Sequence, residues 1–261
     1  MSLFFTSLPL WLSAFLVIIL PSAAAVGALL FIRRAVPLEF LATNNEVAGF
    51  KFAVLGVVYA VLLGFAVIVV WEKFSDAEAA VVQEASGVVS ISRLLQGLDS
   101  NAASAVRPHL IGYVKAVMAE DWPAMARGTL SPHVSEELDT LYAAILAITP
   151  ATSREAVTMS ALLTELDIVT QGRRTRLVLG LGVMPDVLWW VLFVSAFVTL
   201  GFTFFFGTRS IKAQALMTGM LAAVIFMALF VVVEINYPFS GPVSVKPEAL
   251  RLALESIEDR H

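Results

Sequence analysis

The stretch NNEVAGFKFAVLGVVYAVLLGFAVIVVWEKF, residues 44–74, decides the fold. Between Phe50 and Trp71 its one charge is Lys51, at the very edge. About 22 residues rising 1.5 Å each extend roughly 33 Å, enough to cross the hydrocarbon core of a bilayer. The stretch predicts a transmembrane helix. Glu72, Lys73, Asp76 and Glu78 follow with no Pro or Gly before Gly87, so the helix is expected to continue into water as a stalk.

Working outward, three more apolar runs are long enough to span: 9–32, closed by Arg33 and Arg34; 187–207, with Trp189 and Trp190 as interfacial anchors; and 213–235. The composition agrees, with 59% hydrophobic and 15% charged residues where soluble domains have about 45–50% and 25%. The expected class is an all-α membrane protein. It has four transmembrane helices in a two-plus-two arrangement and a helical soluble insert continuous with them. Four segments follow: a first helix pair 1–71, the insert 72–183, a second helix pair 184–236, and a tail 237–261 with a short amphipathic helix from Pro247.

The insert shows helical periodicity throughout. Along the stalk, Phe74, Ala77, Val81, Val88, Ile91 and Leu95 alternate at three and four, the spacing of a helix that packs lengthwise on partners. Glu84 falls on that seam. It reads either as a half-exposed, register-setting carboxylate or as one side of an inter-subunit pair, for which Arg93 is the nearest arginine in sequence. A loop is expected over 97–104, then a helix over 105–119 broken by Asp121, Trp122 and Pro123. Ser131-Pro132 starts another. Thr152 with Glu155 three residues on has the form of a capping box opening a helix to about Leu179.

Chemistry-bearing motifs are absent. There is no phosphate-binding loop, dinucleotide fingerprint, zinc-protease motif or nucleophile elbow, and the reading is not an enzyme. No cofactor is implied. His109, His133 and His261 are too scattered for a metal site, and the absence of cysteine excludes thiolate ligands and disulfides. The net charge of −4 disfavours nucleic acid as a partner. The whole acidic excess sits between Glu72 and Val183.

On the opening helix Gly49, Ala53, Gly56, Ala60 and Gly64 share one face, where small side chains let a neighbouring backbone approach. Lys51, Leu55, Val58, Leu62 and Val69 lie opposite, with Tyr59 between the two faces.

Several motifs resemble a bacterial family known as bestrophin-like. They are Asn45 to Phe50 in N-x-x-x-G-F, VVYAVLLGF with Trp71 after it, a stalk ending in Glu84-Ala85, the cluster Arg173, Arg174, Arg176, Leu177, and PFSG at 238–241. The likeness spans nearly the whole chain. Bestrophins are pentameric anion channels whose second transmembrane helix lines the pore, with a cytosolic helical vestibule. The resemblance therefore implies a homo-oligomeric, pentameric passive channel for small anions in a bacterial inner membrane. Lys51 would sit at a mouth, and Leu55, Val58, Tyr59 and Leu62 would line or gate the path. The residue-level alternative is that Lys51 snorkels to the interface and the leucines meet lipid. A second functional reading is a non-conducting scaffold or sensor whose insert binds a protein partner. The basic residues near the two membrane faces nearly balance; the bestrophin layout favours the insert and both termini in the cytoplasm.

Overall fold

The computed structural model describes residues 8–43, 45–182 and 184–259, and among these no strand occurs. The helices are α1 (Leu10–Ala35, carrying a π turn at Phe15–Ile19), α2 (Leu38–Ala42), α3 (Asn45–Leu94), α4 (Ser100–Ala116), α5 (Trp122–Ala126), α6 (Pro132–Leu146), α7 (Ser153–Gly180), α8 (Asp186–Thr203), α9 (Ile211–Ile235) and α10 (Glu248–Glu258). Four of them, α1, α3, α8 and α9, are long and apolar enough to cross a membrane. The chain divides into two compact units, Met1–Glu72 with Val183–Asn236 and Lys73–Gly182 with Tyr237–His261. The C-terminal segment thus groups with the insert.

In the first unit α9 packs along α1, including its π turn, and also against α8. The approach is local: Gly219 of α9 lets the Val26 side chain come close, and Leu29 of α1, Leu192 and Ala196 of α8, and Ala222, Phe226 and Leu229 of α9 are buried. At the far end of α8, Phe52 stacks on Phe202 at 6.1 Å and meets the edge of Phe206 at 5.7 Å.

The second unit has its own core, built from α3, α4, α6, α7 and α10. Asp99 caps α4 by accepting from the N–H groups of Asn101 and Ala102. Thr152 caps α7 by accepting from Glu155 N, while Glu155 accepts from Ala151 N. The apolar side of α10, Leu250, Ala253, Leu254 and Ile257, is buried.

Two local expectations are corrected. The loop over 97–104 shrinks to Leu98 and Asp99, because the Asp99 cap lets α4 begin at Ser100. The break at Asp121, Trp122 and Pro123 is no break: a π turn at Val117–Asp121 leads straight into α5. Pro123 falls in the first turn of α5, where a missing N–H costs nothing.

Helices α3 and α7 approach closely where α7 has glycine. A Cβ on Gly172 would lie 2.9 Å from Glu84 N and 3.0 Å from Ala80 O. Both are backbone atoms of a helix that cannot yield locally. Gly172→Ala is therefore expected to destabilise this unit by about 1–3 kcal/mol, seen as a lower midpoint of thermal unfolding in detergent, whereas Gly64→Ala, which meets open space within the chain, leaves that midpoint unchanged.

Candidate functional site

The long helix α3 contributes a buried stripe to each of the two units. In its first half the stripe is Tyr59, Leu63, Ala66 and Val70; in its second it is Ala77, Val81, Glu84, Val88 and Ile91, ending at Leu95 in the closing turn. Half-buried Phe52 and Leu55 extend the first of these and half-buried Phe74 opens the second, and within each every step is three or four residues, as one face of a helix requires. Polar-apolar contrast reveals only the second half in the sequence. In the first half nearly every residue is apolar and the pattern is invisible.

This stripe runs between the two faces read from the sequence. Taking Tyr59 as zero and 100° per residue, the Gly49, Ala53, Gly56, Ala60, Gly64 row lies roughly 100° to one side and the Lys51, Leu55, Val58, Leu62 row roughly 70° to the other. Ala53, Ala60 and Gly64 are exposed, and Gly56 and Gly64 have nothing within 4 Å of a notional Cβ. A Cβ on Gly49 would meet the Phe206 ring at 3.9 Å. On the other flank Lys51, Val58 and Leu62 are exposed and Leu55 is half-buried. Tyr59, at 4% exposure, belongs to the covered face.

Glu84 is fully buried, and its partner is Arg176, 92 residues away on α7. Arg176 Nε donates to Glu84 Oε2 at 2.8 Å and Nη2 to Oε1 at 3.1 Å. Arg93, by contrast, is exposed. Arg176 also donates to Asp121 Oδ2 at 3.1 Å, and Arg173 Nε donates to the same oxygen at 3.0 Å. Tyr113 donates to Glu84 Oε1 at 2.7 Å, and Trp122 places its ring 4.8 Å from the Arg176 guanidinium carbon. Two carboxylates and two guanidinium groups balance inside an apolar core, with Arg174 left exposed. Burial alone would lower the affinity of Arg176 for its proton, but the facing Glu84, with Tyr113 and Asp121, reverses the sign and holds it above the ordinary arginine range. Burial, reinforced by Glu84, pushes the Tyr113 phenol well above its usual value. Asp121 was legible only as a helix breaker; no sequence-local signal ties it to arginines more than 50 positions on.

A second polar arrangement holds the loop 204–210 between α8 and α9. Gln214 donates to Phe206 O, Asn45 Nδ2 donates to Gly207 O at 2.8 Å while its Oδ1 accepts from Gly207 N at 3.1 Å, and Arg33 Nη2 donates to Thr208 O at 2.9 Å. Three consecutive carbonyls are gripped from three helices. Gly207 is required, since a Cβ there would lie 2.8 Å from Ala42 N. The PFSG segment is likewise a dock: Phe239 meets the Trp122 ring edge-on at 5.7 Å and Ser240 donates to Ala126 O. Among the described residues no three His, Asp or Glu side chains converge as a metal site, and His261 lies outside them.

These features define a class: an all-helical protein, over the described residues, with four helices long and apolar enough to cross a membrane and a polar-locked helical insert. The bestrophin-like domain model matches residues 19–250, and the chain belongs to the bestrophin-like family. No curated protein sequence matches it. Among solved structures, a bacterial bestrophin homolog from Klebsiella pneumoniae superposes with a TM-score of 0.67 at 13% identity, covering 91% of this chain and 97% of that one. A Leu-to-Thr variant of the Klebsiella homolog gives 0.65 at 14%, covering 91% and 98%. A structure described as a membrane protein variant gives 0.71 at 14%, covering 92% and 96%. At these identities the likeness is one of fold.

Removing one member of the buried cluster strands the others. Arg176→Met is expected to cost about 3–5 kcal/mol by leaving Glu84 unpaired, and Glu84→Gln with Arg176→Met together to cost less than the sum, read from unfolding midpoints of the four proteins in a double-mutant cycle. The raised Tyr113 makes the folded state hold a proton that the unfolded chain releases above about pH 10. Stability is thus full below that pH and declines as pH rises beyond it, and Tyr113→Phe should flatten this alkaline decline in a stability-versus-pH series.

Proposed function

We propose that this protein is an oligomeric passive anion channel in which residues 50–71 of α3 line the conduction path. The observation that carries the reading is the division of α3 into three faces. Its own chain covers the Tyr59 stripe and half-covers Leu55, Gly49 and Gly56 at its borders, leaving Ala53, Ala60 and Gly64 exposed on one flank and Lys51, Val58 and Leu62 on the other. In a ring of copies each such helix needs one flank for its neighbour and one for the axis. The Gly49, Ala53, Gly56, Ala60, Gly64 row suits close approach of a second copy. The opposite flank then meets the pore, with Lys51 concentrating anions at a mouth and Leu55 and Leu62 as apolar constrictions that gate by dewetting. Membership of the bestrophin-like family supports this use of the helix, a ring of five, a two-plus-two membrane arrangement, and an insert with both termini on the cytoplasmic side of a bacterial inner membrane.

The scaffold reading draws less support. The seam expected to recruit a partner, Ala77 to Leu95, is covered by the protein's own α4, α6 and α7, and Glu84 is spent on Arg176.

Purified protein in planar bilayers should pass anions. Lys51→Glu is expected to lower anion over cation selectivity, Leu62→Ala to raise conductance several-fold, and Gly64→Leu to disperse the oligomer in detergent while the insert stays folded. Absence of conductance from a correctly assembled ring removes the channel; a conductance indifferent to Lys51 and Leu62 moves the path off this flank.

A further inference from the structure

Three arginines cluster toward the end of α7, and the buried network uses two of them: Arg173 and Arg176 face Asp121 and Glu84. Arg174 is exposed, and no described carboxylate forms an ion pair with it. It lines a groove of about 360 Å³ between α3 and α7. The α3 wall carries Lys73, Asp76 and Gln83; the α7 wall carries Arg174, Thr175 and Val178. Lys73 donates to Asp76 at 2.8 Å, so these two charges offset each other and Arg174 leaves the groove net positive.

Both walls belong to stretches of chain that adjoin membrane-length helices. Lys73 follows closely on Trp71, where the apolar run of α3 ends, and α7 closes at Gly180, shortly before the membrane-length α8 opens at Asp186. On the same end of α7, Val178 and Leu181 leave 61% and 55% of their surface exposed, apolar area that the insert's own core does not cover. A guanidinium takes a phosphate through parallel N–H···O bonds, and basic residues next to a spanning helix attract anionic headgroups. A free anion would meet one exposed guanidinium with Asp76 in the same groove, an interaction worth little in water. A lipid adds the contact of its chains with the exposed valine and leucine.

We propose that the groove between α3 and α7 seats the phosphate of an anionic phospholipid on Arg174, with Thr175 and Gln83 as neutral donors beside it and Val178 and Leu181 against the acyl chains. The inference goes beyond the channel reading and requires of it only that the protein sits in a bilayer. Conduction, or its absence, leaves the groove as it is.

Full-length protein, stripped of lipid in an uncharged detergent, is titrated with phosphatidylglycerol, phosphatidylcholine and inorganic phosphate. Bound lipid is counted by native mass spectrometry, and the unfolding midpoint is followed alongside. Phosphatidylglycerol should bind saturably and raise the midpoint, with phosphatidylcholine and inorganic phosphate far weaker. Arg174→Gln should raise the half-saturating concentration about fivefold, with Arg174→Lys, which keeps the charge and loses the fork, in between. Val178→Ser should weaken binding as well. Arg154→Gln, which removes the same charge from an exposed position at the opposite end of α7, should leave it unchanged. Equal responses to the two lipids, or a phosphatidylglycerol response unchanged in both Arg174 variants, overturn the site. Inorganic phosphate as effective as phosphatidylglycerol makes it a free-anion site and overturns the lipid assignment. Dispersal of the oligomer by Arg174→Gln with lipid binding intact gives the groove to a second copy of the chain and overturns it too.

Discussion

One helix has to bury a stripe in each of two units, one built of membrane-length apolar helices and one with a core of its own. The three-four successions from Tyr59 to Val70 and from Ala77 to Leu95 each give α3 a covered face, and the means of covering differ between the two. In the apolar half, where lipid satisfies a leucine as well as protein does, the stripe is taken up by packing and by aromatic contacts such as Phe52 on Phe202. In the second half the hydrophobic effect operates fully and the stripe becomes the spine of a conventional core with α4, α6, α7 and α10.

Into that spine the chain inserts one carboxylate, Glu84, whose cost is offset by bidentate Arg176, by Asp121 and Arg173 beyond it, and by the Tyr113 hydroxyl. Such a cluster adds less net stability than an apolar core of the same volume, while every misregistered packing of α3 on α7 leaves a charge unpaired. Gly172, one position before Arg173, lets the two backbones come near enough for the pairs to close. The cluster therefore fixes which residues of α3 face α7.

The short motifs that carry the family likeness share this character. Asn45 grips Gly207, Glu84 pairs with Arg176, and the PFSG segment sets Phe239 on Trp122 and Ser240 on Ala126 O. Each fixes a contact between segments distant in sequence.

The sequence by itself determined the four membrane-length runs, the helical insert, the seam from Ala77 onward, the helix start at Ser131-Pro132 and the cap at Thr152, because each depends on composition or on residues within a few positions of one another. It misjudged 97–104 and the Asp121-Trp122-Pro123 step, where a two-residue connection and a π turn satisfied the backbone more tightly than turn-forming residues suggest. The tertiary structure alone decided which face of 50–71 the protein covers, because an all-apolar segment has no polarity contrast to read. It alone matched Glu84 and Asp121 with arginines on α7, and set Arg33 against the 204–210 loop, because electrostatic pairing depends on distance in space and leaves no trace in sequence spacing.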